Sequence, residues 1–594
     1  MKRRPGWLEI LGAGLLPGLL AGTQVAGLLF FLNPELPFSF LPVARGILLY
    51  GGLLGGVSLA VSLPWTWRRP RRAWRILPWG LTLALASAAL LDGSQASIYA
   101  FFLPSGINDR LVKAALWLSL AALIFFYTAL LHGLNRRPYG LRSQLGLGLV
   151  ALLSVYVMVE RREAFKPRPQ QPAPRPLAVE PVQRPILWVI GFDAATLDAL
   201  LPLAGEGRLP FLGQLLQKGA HGRLQSFTPH RPEVLWTSLA TGKYPYRHGV
   251  LGGGIYSADF LEPRSTLNLL PAGIAFRRWG TFGGSRTSSV EARSASTLWE
   301  ILSRLGRRSG LLGWPASSPA PANAAFAVTD AFFDRREDRE NRASQRDLRP
   351  PELAARAATL RLSPQALDPA LLASFGPAAG DGLRLALAGD LWRQALAREL
   401  VAETPDLQAF LLVLPGLREV SQAYYGGFSA AQEGERSHVF TEAAQVVSNY
   451  YIQLDEFLSE LWESEAGGAP RLLAVVSAYG VEGPMTLWEK ARGEVLRGAL
   501  RGGRSDRSPD GVLLLYSEGE EGIIEPGALL TGARLVDVAP TLLYALGFPV
   551  ARDFDGQVLT SAFGKAFLAR HPLTFLPSYE AVAEPPRLKA SASR

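Results

Sequence analysis

The chain contains no cysteine, and only three methionines and six histidines occur among its 594 residues. The absence of cysteine excludes disulfides and thiolate-ligated metal sites, although it leaves the redox compartment open. Acidic residues are also in the minority, with 51 Asp and Glu against 61 Lys and Arg, so the formal net charge is +10. No nucleic-acid recognition motif accompanies this charge. We therefore expect no nucleic-acid partner and assign the excess arginine to a membrane surface.

Long apolar stretches dominate the first quarter of the chain. The whole chain is 48% hydrophobic with a mean hydropathy of +0.13, which is high for a purely soluble protein. A helix needs roughly 20 apolar residues to cross a bilayer. We therefore predict an all-α transmembrane domain over residues 1–162. Its five helices are expected at about 7–32, 39–65, 76–103, 111–132 and 143–159.

This domain could serve as a membrane anchor, or it could be a component of a transporter or channel. Transport would be favoured by a functional ionisable residue inside a span. Asp92 and Gly93 interrupt the third stretch, but no intramembrane charge pair is evident, so we favour the anchor. Glycines 51, 52, 55 and 56 suit close packing of helices in lipid.

Beyond the membrane domain the composition changes twice. Residues 163–184 are rich in proline, which predicts an extended linker. From residue 185 onward short apolar runs alternate with helical patterns, as in an α/β protein with a mostly parallel sheet. The amphipathic stretch 437–464 is predicted to be a helix with its apolar face in the core. Candidate strands are 186–190, 309–313, 409–414, 471–477 and 511–516.

The stretch 184–250 resembles the type I phosphodiesterase/nucleotide pyrophosphatase family of the alkaline phosphatase superfamily. The resemblance rests on IGFDA at 190–194, GRLPFLGQLLQKGA at 207–220 and WTSLATGKYPYRHGV at 236–250, and further blocks follow in the family's order up to about 560. It implies an alkaline-phosphatase-like domain over 185–575, with a mostly parallel sheet sandwiched by helices. Two insertions, at about 251–296 and 335–405, are expected to cap its site. Residues 576–594 are expected to be a disordered tail.

The resemblance also implies a pair of metal ions, usually zinc, beside a Thr or Ser that attacks phosphorus. The family's nucleophile falls on Pro232, which has no hydroxyl group. Its metal-ligand positions fall on six residues, of which only the first is a normal ligand in this family: Asp193, Arg418, Gln422, Ala478, Tyr479 and Arg507. The chain is therefore identified as a degenerate member, without a cofactor and without an assigned catalytic residue.

Other residues were considered as replacements for the lost groups. His221 and His230 flank the expected nucleophile strand, but neither has a neighbouring pair of carboxylates. Hydroxyl groups near Pro232 could act as a displaced nucleophile, although roles at strand ends and in helix packing are the favoured explanation for them. These are Ser226, Thr228, Thr237 and Ser238.

The arginines at the lost positions allow two interpretations. An arginine could neutralise Asp193 in a structural ion pair, or Arg231, Arg418 and Arg507 together with Asp193 could hold an anionic head group or a phosphorylated glycan without hydrolysing it. The favoured function is a membrane-anchored, extracytoplasmic pseudoenzyme that acts as a binding, scaffolding or assembly subunit with a protein partner in a membrane complex. The alternative is a divergent phosphodiesterase or phosphotransferase that acts on an envelope phosphoester and uses a zinc pair.

The distribution of positive charge predicts the topology of the membrane domain. Basic residues cluster before the first stretch and in the loops at 66–75 and 133–142, which should therefore face the cytoplasm. With five spans, the chain after residue 160 lies outside. We expect a reporter fused after residue 594 to be active only outside the cytoplasm. Activity of a cytoplasmic reporter at that position would show that the number of spans is even.

Overall fold

The structure is a computed structural model that describes most of the chain. The described residues are 7–36, 38–67, 73–135, 139–159, 184–252, 254–274, 276, 285–286, 293–333, 344–377, 379–432, 438–464, 469–481, 510–519 and 522–582. The predicted linker (apart from residue 184), Arg507 and residues 583–594 lie outside them. Two compact units are present, one containing residues 1–169 and 251–287, the other residues 170–250, 288–495 and 502–594.

The first unit is built on five helices in the predicted amino-terminal region. Four are long and apolar enough to span a membrane by length and composition, whereas the fifth has a shorter apolar stretch at 141–157. Helices α1 and α2 approach closely at Gly22, where a Cβ atom would lie 2.3 Å from the backbone nitrogen of Gly51. The helices are α1 Trp7–Leu32, α2 Phe40–Trp67, α3 Ala73–Ile98, α4 Ser105–Leu134 and α5 Leu141–Val159.

The segment 251–287, which forms most of the predicted insertion at 251–296, belongs to this helical unit, and its capping role stays a prediction. It carries three short antiparallel strands, β3 Ile255–Ser257, β4 Thr266–Leu267 and β5 Ser285–Arg286. Its apolar side chains pack with those of α1 and α2. This cluster includes Phe30, Tyr50, Leu261, Leu267 and Phe276.

Two carboxamide side chains fix this segment by pairing with its backbone. The Asn33 Nδ2 group donates to the carbonyl oxygen of Leu269 at 2.8 Å, and its Oδ1 atom accepts from the amide of the same residue at 2.9 Å. Gln95 pairs in the same way with the amide and carbonyl of Ala272. Asn33 and Gln95 are buried, so these bonds satisfy polar groups that would otherwise be costly to bury.

The second unit contains a nine-stranded sheet with the order β12-β2-β11-β10-β1-β9-β6-β7-β8. The pairs that include β1, β9 and β6 are parallel, whereas β11 runs antiparallel to both β10 and β2, and β8 antiparallel to β7. The five predicted strands are confirmed within two residues at each end. The strands are β1 Ile186–Phe192, β2 Ala220–Leu224, β6 Ser309–Leu312, β7 Phe326–Val328, β8 Leu348–Arg349, β9 Ala409–Leu414, β10 Arg471–Ser477, β11 Gly511–Glu518 and β12 Leu529–Leu530.

Helices flank the sheet, and their apolar faces supply its core. The predicted helix at 437–464 is confirmed as α17, and the interior of its stripe is buried from Val447 to Leu461. The predicted insertion at 335–405 is largely helical and ends in the long helix α15. The helices are α6 Leu197–Gly205, α7 Pro210–Lys218, α8 Pro232–Thr241, α9 Pro245–His248, α10 Leu298–Arg304, α11 Asp330–Phe333, α12 Ser344–Asp347, α13 Leu353–Thr359, α14 Pro369–Ser374, α15 Asp381–Ala402, α16 Gly416–Gln432, α17 His438–Ser464, α18 Val538–Ala545 and α19 Lys565–Arg570.

The expectation of a disordered tail from residue 576 is wrong for its first seven residues. The last strand, β14 Phe575–Leu576, pairs with β13 Val550–Ala551, and Tyr579 is 2% exposed. Glu580 accepts hydrogen bonds from the amide and hydroxyl groups of Ser296. The buried ring of Tyr579 and the paired carboxylate of Glu580 therefore order residues 576–582. The proline and alanine content of the neighbouring sequence had suggested that they are disordered.

A buried ion pair joins this terminal segment to the glycine turn after α8. The ammonium group of Lys243 lies 2.7 Å from Asp553 Oδ2 and 3.4 Å from Glu580 Oε1, and its side chain is 8% exposed. Removing one partner of a buried pair leaves the other charge without compensation. We expect Lys243→Met to lower the free energy of unfolding by about 3–5 kcal/mol.

The matched control is Arg308→Met, because Arg308 pairs with Asp406 where both side chains are more than half exposed. That change should cost about 0–1 kcal/mol. Thermal unfolding of the full chain in detergent, followed by near-ultraviolet circular dichroism, compares the two variants. Equal shifts of the two melting temperatures would contradict the structural role of Lys243.

Candidate functional site

Asp193 lies directly after β1, at the carboxyl end of the strand in the centre of the sheet. Its amide donates to the carbonyl oxygen of Leu414 at 3.1 Å, which ties it to the end of the neighbouring strand β9. The next residue, Ala194, has a φ of 71°, a left-handed conformation that is strained for a residue with a Cβ atom. This turn leaves the Asp193 side chain buried, with 1% of the residue exposed.

Trp236 on α8 provides the first partner of Asp193. Its indole Nε1 group donates to Asp193 Oδ1 at 3.1 Å. The ring reaches the carboxylate because Gly191 on β1 has no side chain, and a Cβ atom there would lie 2.5 Å from the ring. Trp314 packs against Trp236 edge to face, with 5.2 Å between ring centroids. No sequence motif marked Trp236 as part of the site.

Arg418 and Tyr479 provide the other two partners. Arg418 Nη1 donates to Asp193 Oδ2 at 3.2 Å. Tyr479 is buried beside them, and its phenol interacts electrostatically with both Asp193 and Arg418. The remaining side of the guanidinium group is also engaged, because Nη2 donates to Glu419 Oε1 at 2.7 Å. Two side-chain donors, one to each oxygen, therefore hydrogen-bond the Asp193 carboxylate, and the Tyr479 phenol lies beside it.

Burial and hydrogen bonding act in opposite directions on the charge of Asp193. Burial raises the pKa of its carboxyl group, while Arg418, the hydrogen bond from Trp236 and the nearby Tyr479 hydroxyl lower that pKa, and the net direction is upward. The carboxylate is thus costly to bury, and the adjacent cation reduces that cost. The ion-pair interpretation requires such an arrangement.

The residues at the family's metal positions do not fit a pair of zinc ions. Both oxygens of Asp193 accept hydrogen bonds from protein groups, and the adjacent guanidinium group stays protonated and cannot ligate a metal. Gln422 is exposed and Ala478 is buried without a donor atom. Within the described ranges, no three His, Asp or Glu side chains are grouped so that they could hold a metal ion.

Pro232, at the family's nucleophile position, is the first residue of α8, and Arg231 is the residue that precedes the helix. Proline suits the first helical position because its fixed φ matches the helix and its missing N–H has no partner there in any case. Arg231 is half-buried and is not among the groups hydrogen-bonded to Asp193. The structure therefore brings Asp193, Arg418 and Tyr479 together but does not add Arg231 to that cluster.

Two of the four nearby hydroxyl groups have structural partners. The Thr237 hydroxyl donates to the carbonyl oxygen of Glu233 at 2.6 Å within α8. Ser238 Oγ lies 2.8 Å from His248 Nε2, and His248 Nδ1 accepts from the amide of Val250. These contacts favour the helix-packing interpretation of Thr237 and Ser238.

Of the two possible substitute ligands, one lies on a strand and the other in the loop that precedes α8. His221 lies on β2 and is partly exposed. The His230 ring stacks on Tyr479, with 5.7 Å between ring centroids and 18° between ring planes. His230 therefore contacts the Asp193 cluster through an aromatic ring, which the spacing of the sequence did not indicate.

A second buried carboxylate, Asp390 on α15, supports the helix that carries Arg418. It accepts from the amide of Gly416, the first residue of α16, at 3.1 Å, and from the hydroxyl group of Tyr450 at 2.8 Å. Burial raises the pKa of Asp390 to about 6, and the nearby charge of Asp193 also raises it. The sequence marks this role only weakly, through a single acidic residue in the otherwise apolar run 385–392 of the insertion.

Comparisons with known proteins agree with the resemblance. The family model for type I phosphodiesterase/nucleotide pyrophosphatase matches residues 187–483, and the chain belongs to this family. No curated protein matches the chain.

Several solved structures are similar to this chain at low sequence identity. Wild-type alkaline phosphatase PafA is 12% identical, with a TM-score of 0.39, and the match covers 64% of this chain and 100% of that one. A phosphonate monoester hydrolase from Silicibacter pomeroyi is 15% identical, with a TM-score of 0.34 and coverage of 64% and 76%. An inactive murine ectonucleotide pyrophosphatase/phosphodiesterase 5 in complex with AMP is 10% identical, with a TM-score of 0.34 and coverage of 64% and 100%.

The raised pKa of Asp390 predicts a specific dependence of stability on pH. Between its ordinary pKa, near 4, and about 6, the folded chain retains a proton that the unfolded chain has released. The contribution of Asp390 to stability therefore falls as pH rises through this window, by up to about 3 kcal/mol, and is constant above it. Asp390→Asn should remove that fall, because the amide has no charge to bury and keeps an acceptor for Gly416.

Melting temperatures of the full chain in detergent, measured from pH 4 to pH 7, test this expectation through the difference between wild type and variant. Asp381→Asn is the control, because Asp381 is an exposed carboxylate on the same helix. A difference between wild type and Asp390→Asn that stays constant over this range would show that Asp390 does not titrate on unfolding.

Proposed function

We propose that this chain is a membrane-anchored pseudoenzyme of the phosphodiesterase family, whose extracytoplasmic domain binds or assembles a partner protein and hydrolyses no phosphoester. The observation that carries the proposal is that the buried Asp193 carboxylate is already paired with protein groups. The one carboxylate kept at the family's metal positions is held by Arg418, Trp236 and Tyr479. Pro232, at the nucleophile position, has no hydroxyl group that could attack phosphorus.

The contacts of Arg418 favour its structural role over anion binding. Its guanidinium group donates to both Asp193 and Glu419 and lies beside the Tyr479 phenol. A phosphate group would have to compete with two carboxylates for the same N–H donors. A ligand role for Arg418 with Arg231 and Arg507 stays a prediction, and the experiment below separates it from the structural role.

The anchor is part of the same proposal. Four apolar amino-terminal helices could span a membrane, and the family domain follows them in the chain. If the domain hydrolyses nothing, it can still act by binding other molecules through its exposed surface. Because it would be held at a membrane, this supports a role in a membrane protein complex. Neither a zinc pair nor a nucleic acid has a place in this proposal.

The test compares Arg418→Met with Glu419→Gln in the full chain. Arg418→Met leaves Asp193 buried without its cation, so we expect a loss of about 3–5 kcal/mol in stability. Glu419→Gln removes the half-exposed partner and should cost about 0–1 kcal/mol. Thermal unfolding reports both effects, and calorimetric titration with inorganic phosphate reports any binding of the anion.

The same preparation is assayed for zinc by elemental analysis and for turnover of bis(p-nitrophenyl) phosphate. We expect no stoichiometric zinc and no turnover. Two zinc ions per chain with measurable turnover would establish the divergent phosphodiesterase instead. Loss of phosphate binding in Arg418→Met with an unchanged melting temperature would establish the anion-binding role of Arg418.

A further inference from the structure

An apolar cavity of about 430 Å³ lies among four helices of the amino-terminal unit. Its walls come from α1, α3, α4 and α5, and include Leu20, Leu77, Phe125, Leu147 and Ala151. The cavity is open to the surroundings of the bundle, because Leu16 and Leu152 line it and are 46% and 70% exposed. The hydrophobic core of the bundle therefore leaves an unfilled groove on its outer face.

The length of the groove matches one leaflet of a bilayer. On α5 its lining residues extend from Gln144 to Val155. These eleven steps of a helix correspond to about 16 Å at the usual rise of 1.5 Å per residue. The hydrocarbon core of a bilayer is about 30 Å thick, so the groove covers about half of it. An acyl chain of a lipid in one leaflet fits this length.

One end of the groove is polar and lies at the starts of α3 and α5, which follow the basic loops in the chain. Tyr139 and Gln144, next to the start of α5, line the groove together with Leu77 and Pro78 near the start of α3. The chain entering α3 carries five arginines in residues 68–75, and the chain entering α5 carries three in residues 133–142, with no acidic residue in either stretch. A negatively charged head group is the complement of this end.

We infer that the groove is a binding site for an anionic glycerophospholipid from the leaflet that faces these loops. The acyl chain lies along Leu147 and Leu152, and the phosphate group lies at the end that carries Tyr139 and Arg142. Burial of the acyl chain against apolar side chains holds the lipid, and the arginines select its charge. This inference concerns the membrane unit alone and does not depend on the state of the Asp193 centre.

Two glycines on α5 allow a matched test. Gly148 lines the groove, and a Cβ atom there would meet no other atom within 4 Å, so a large side chain can occupy the groove without a clash at its Cβ. Gly146 is equally open but is not part of the lining. Gly148→Phe should place a ring where the acyl chain lies, whereas Gly146→Phe should leave the groove empty for lipid.

The experiment titrates dioleoylphosphatidylglycerol into the full chain in detergent and counts bound lipids by native mass spectrometry. We expect wild type and Gly146→Phe to bind one lipid per chain, and Gly148→Phe to bind it at least about tenfold more weakly, a difference of about 1.4 kcal/mol. Dioleoylphosphatidylcholine, and the double variant Arg75→Gln/Arg142→Gln with phosphatidylglycerol, should each show weaker binding. Gly148→Leu with a melting-temperature measurement replaces Gly148→Phe if that variant does not fold.

Equal binding by Gly146→Phe and Gly148→Phe, or no binding by wild type, would overturn the site. Equal binding of both lipids together with an unaffected arginine variant would overturn its selectivity for an anionic head group. Co-purification of a protein helix that Gly148→Phe displaces would show that a partner, and not a lipid, occupies the groove. None of these results bears on zinc content or phosphoester turnover.

Discussion

The burial of one carboxylate governs the centre of the family domain. Asp193 ends the central strand in a position where 1% of it is exposed, so its charge must be compensated by something nearby. Metal ions perform this task in the family that the sequence resembles. Here a guanidinium group, an indole N–H and a phenol surround the same oxygens. Gly191 leaves room for the indole ring, Trp314 packs against that ring, and Asp390 binds the start of the helix that carries Arg418.

The sequence predicted the framework of this domain well because local patterns determine it. Short apolar runs ended by turn residues located all five predicted strands, and helical spacing from Val447 to Leu461 located α17. Spacing within the family's motifs also placed Arg418 and Tyr479 at the family's ligand positions, and the structure places both beside Asp193. The hydrogen bond from Trp236 to Asp193 could not be predicted, because it depends on the packing of α8 against Gly191 on β1.

The other missed features share that cause. Asp390 on α15 stabilises the start of α16 although it lies 26 residues before Gly416 in the chain, and no local pattern pairs an acidic residue with a distant helix end. Asn33 and Gln95 bind the backbone of residues 268–272, so no complementary side chain marks their target in the sequence. Composition also wrongly predicted disorder for residues 576–582. One buried tyrosine and one paired glutamate order this stretch despite the proline-rich and alanine-rich sequence around it. In each case the decisive contact joins residues far apart in the chain.

The place of segment 251–287 affects how the family domain can be handled in isolation. A recombinant fragment beginning at residue 185 would retain this segment but lose Asn33, Gln95, Phe30 and Tyr50, which pack with it or bind its backbone. Leu261, Leu267 and Phe276 would then be exposed together, and exposed apolar clusters of this kind promote aggregation. Replacing residues 251–287 with a short flexible loop would remove that surface, since the strands of the main sheet all lie outside the segment. Residues 251–287 thus lie within the family's sequence region but belong structurally to the helical unit.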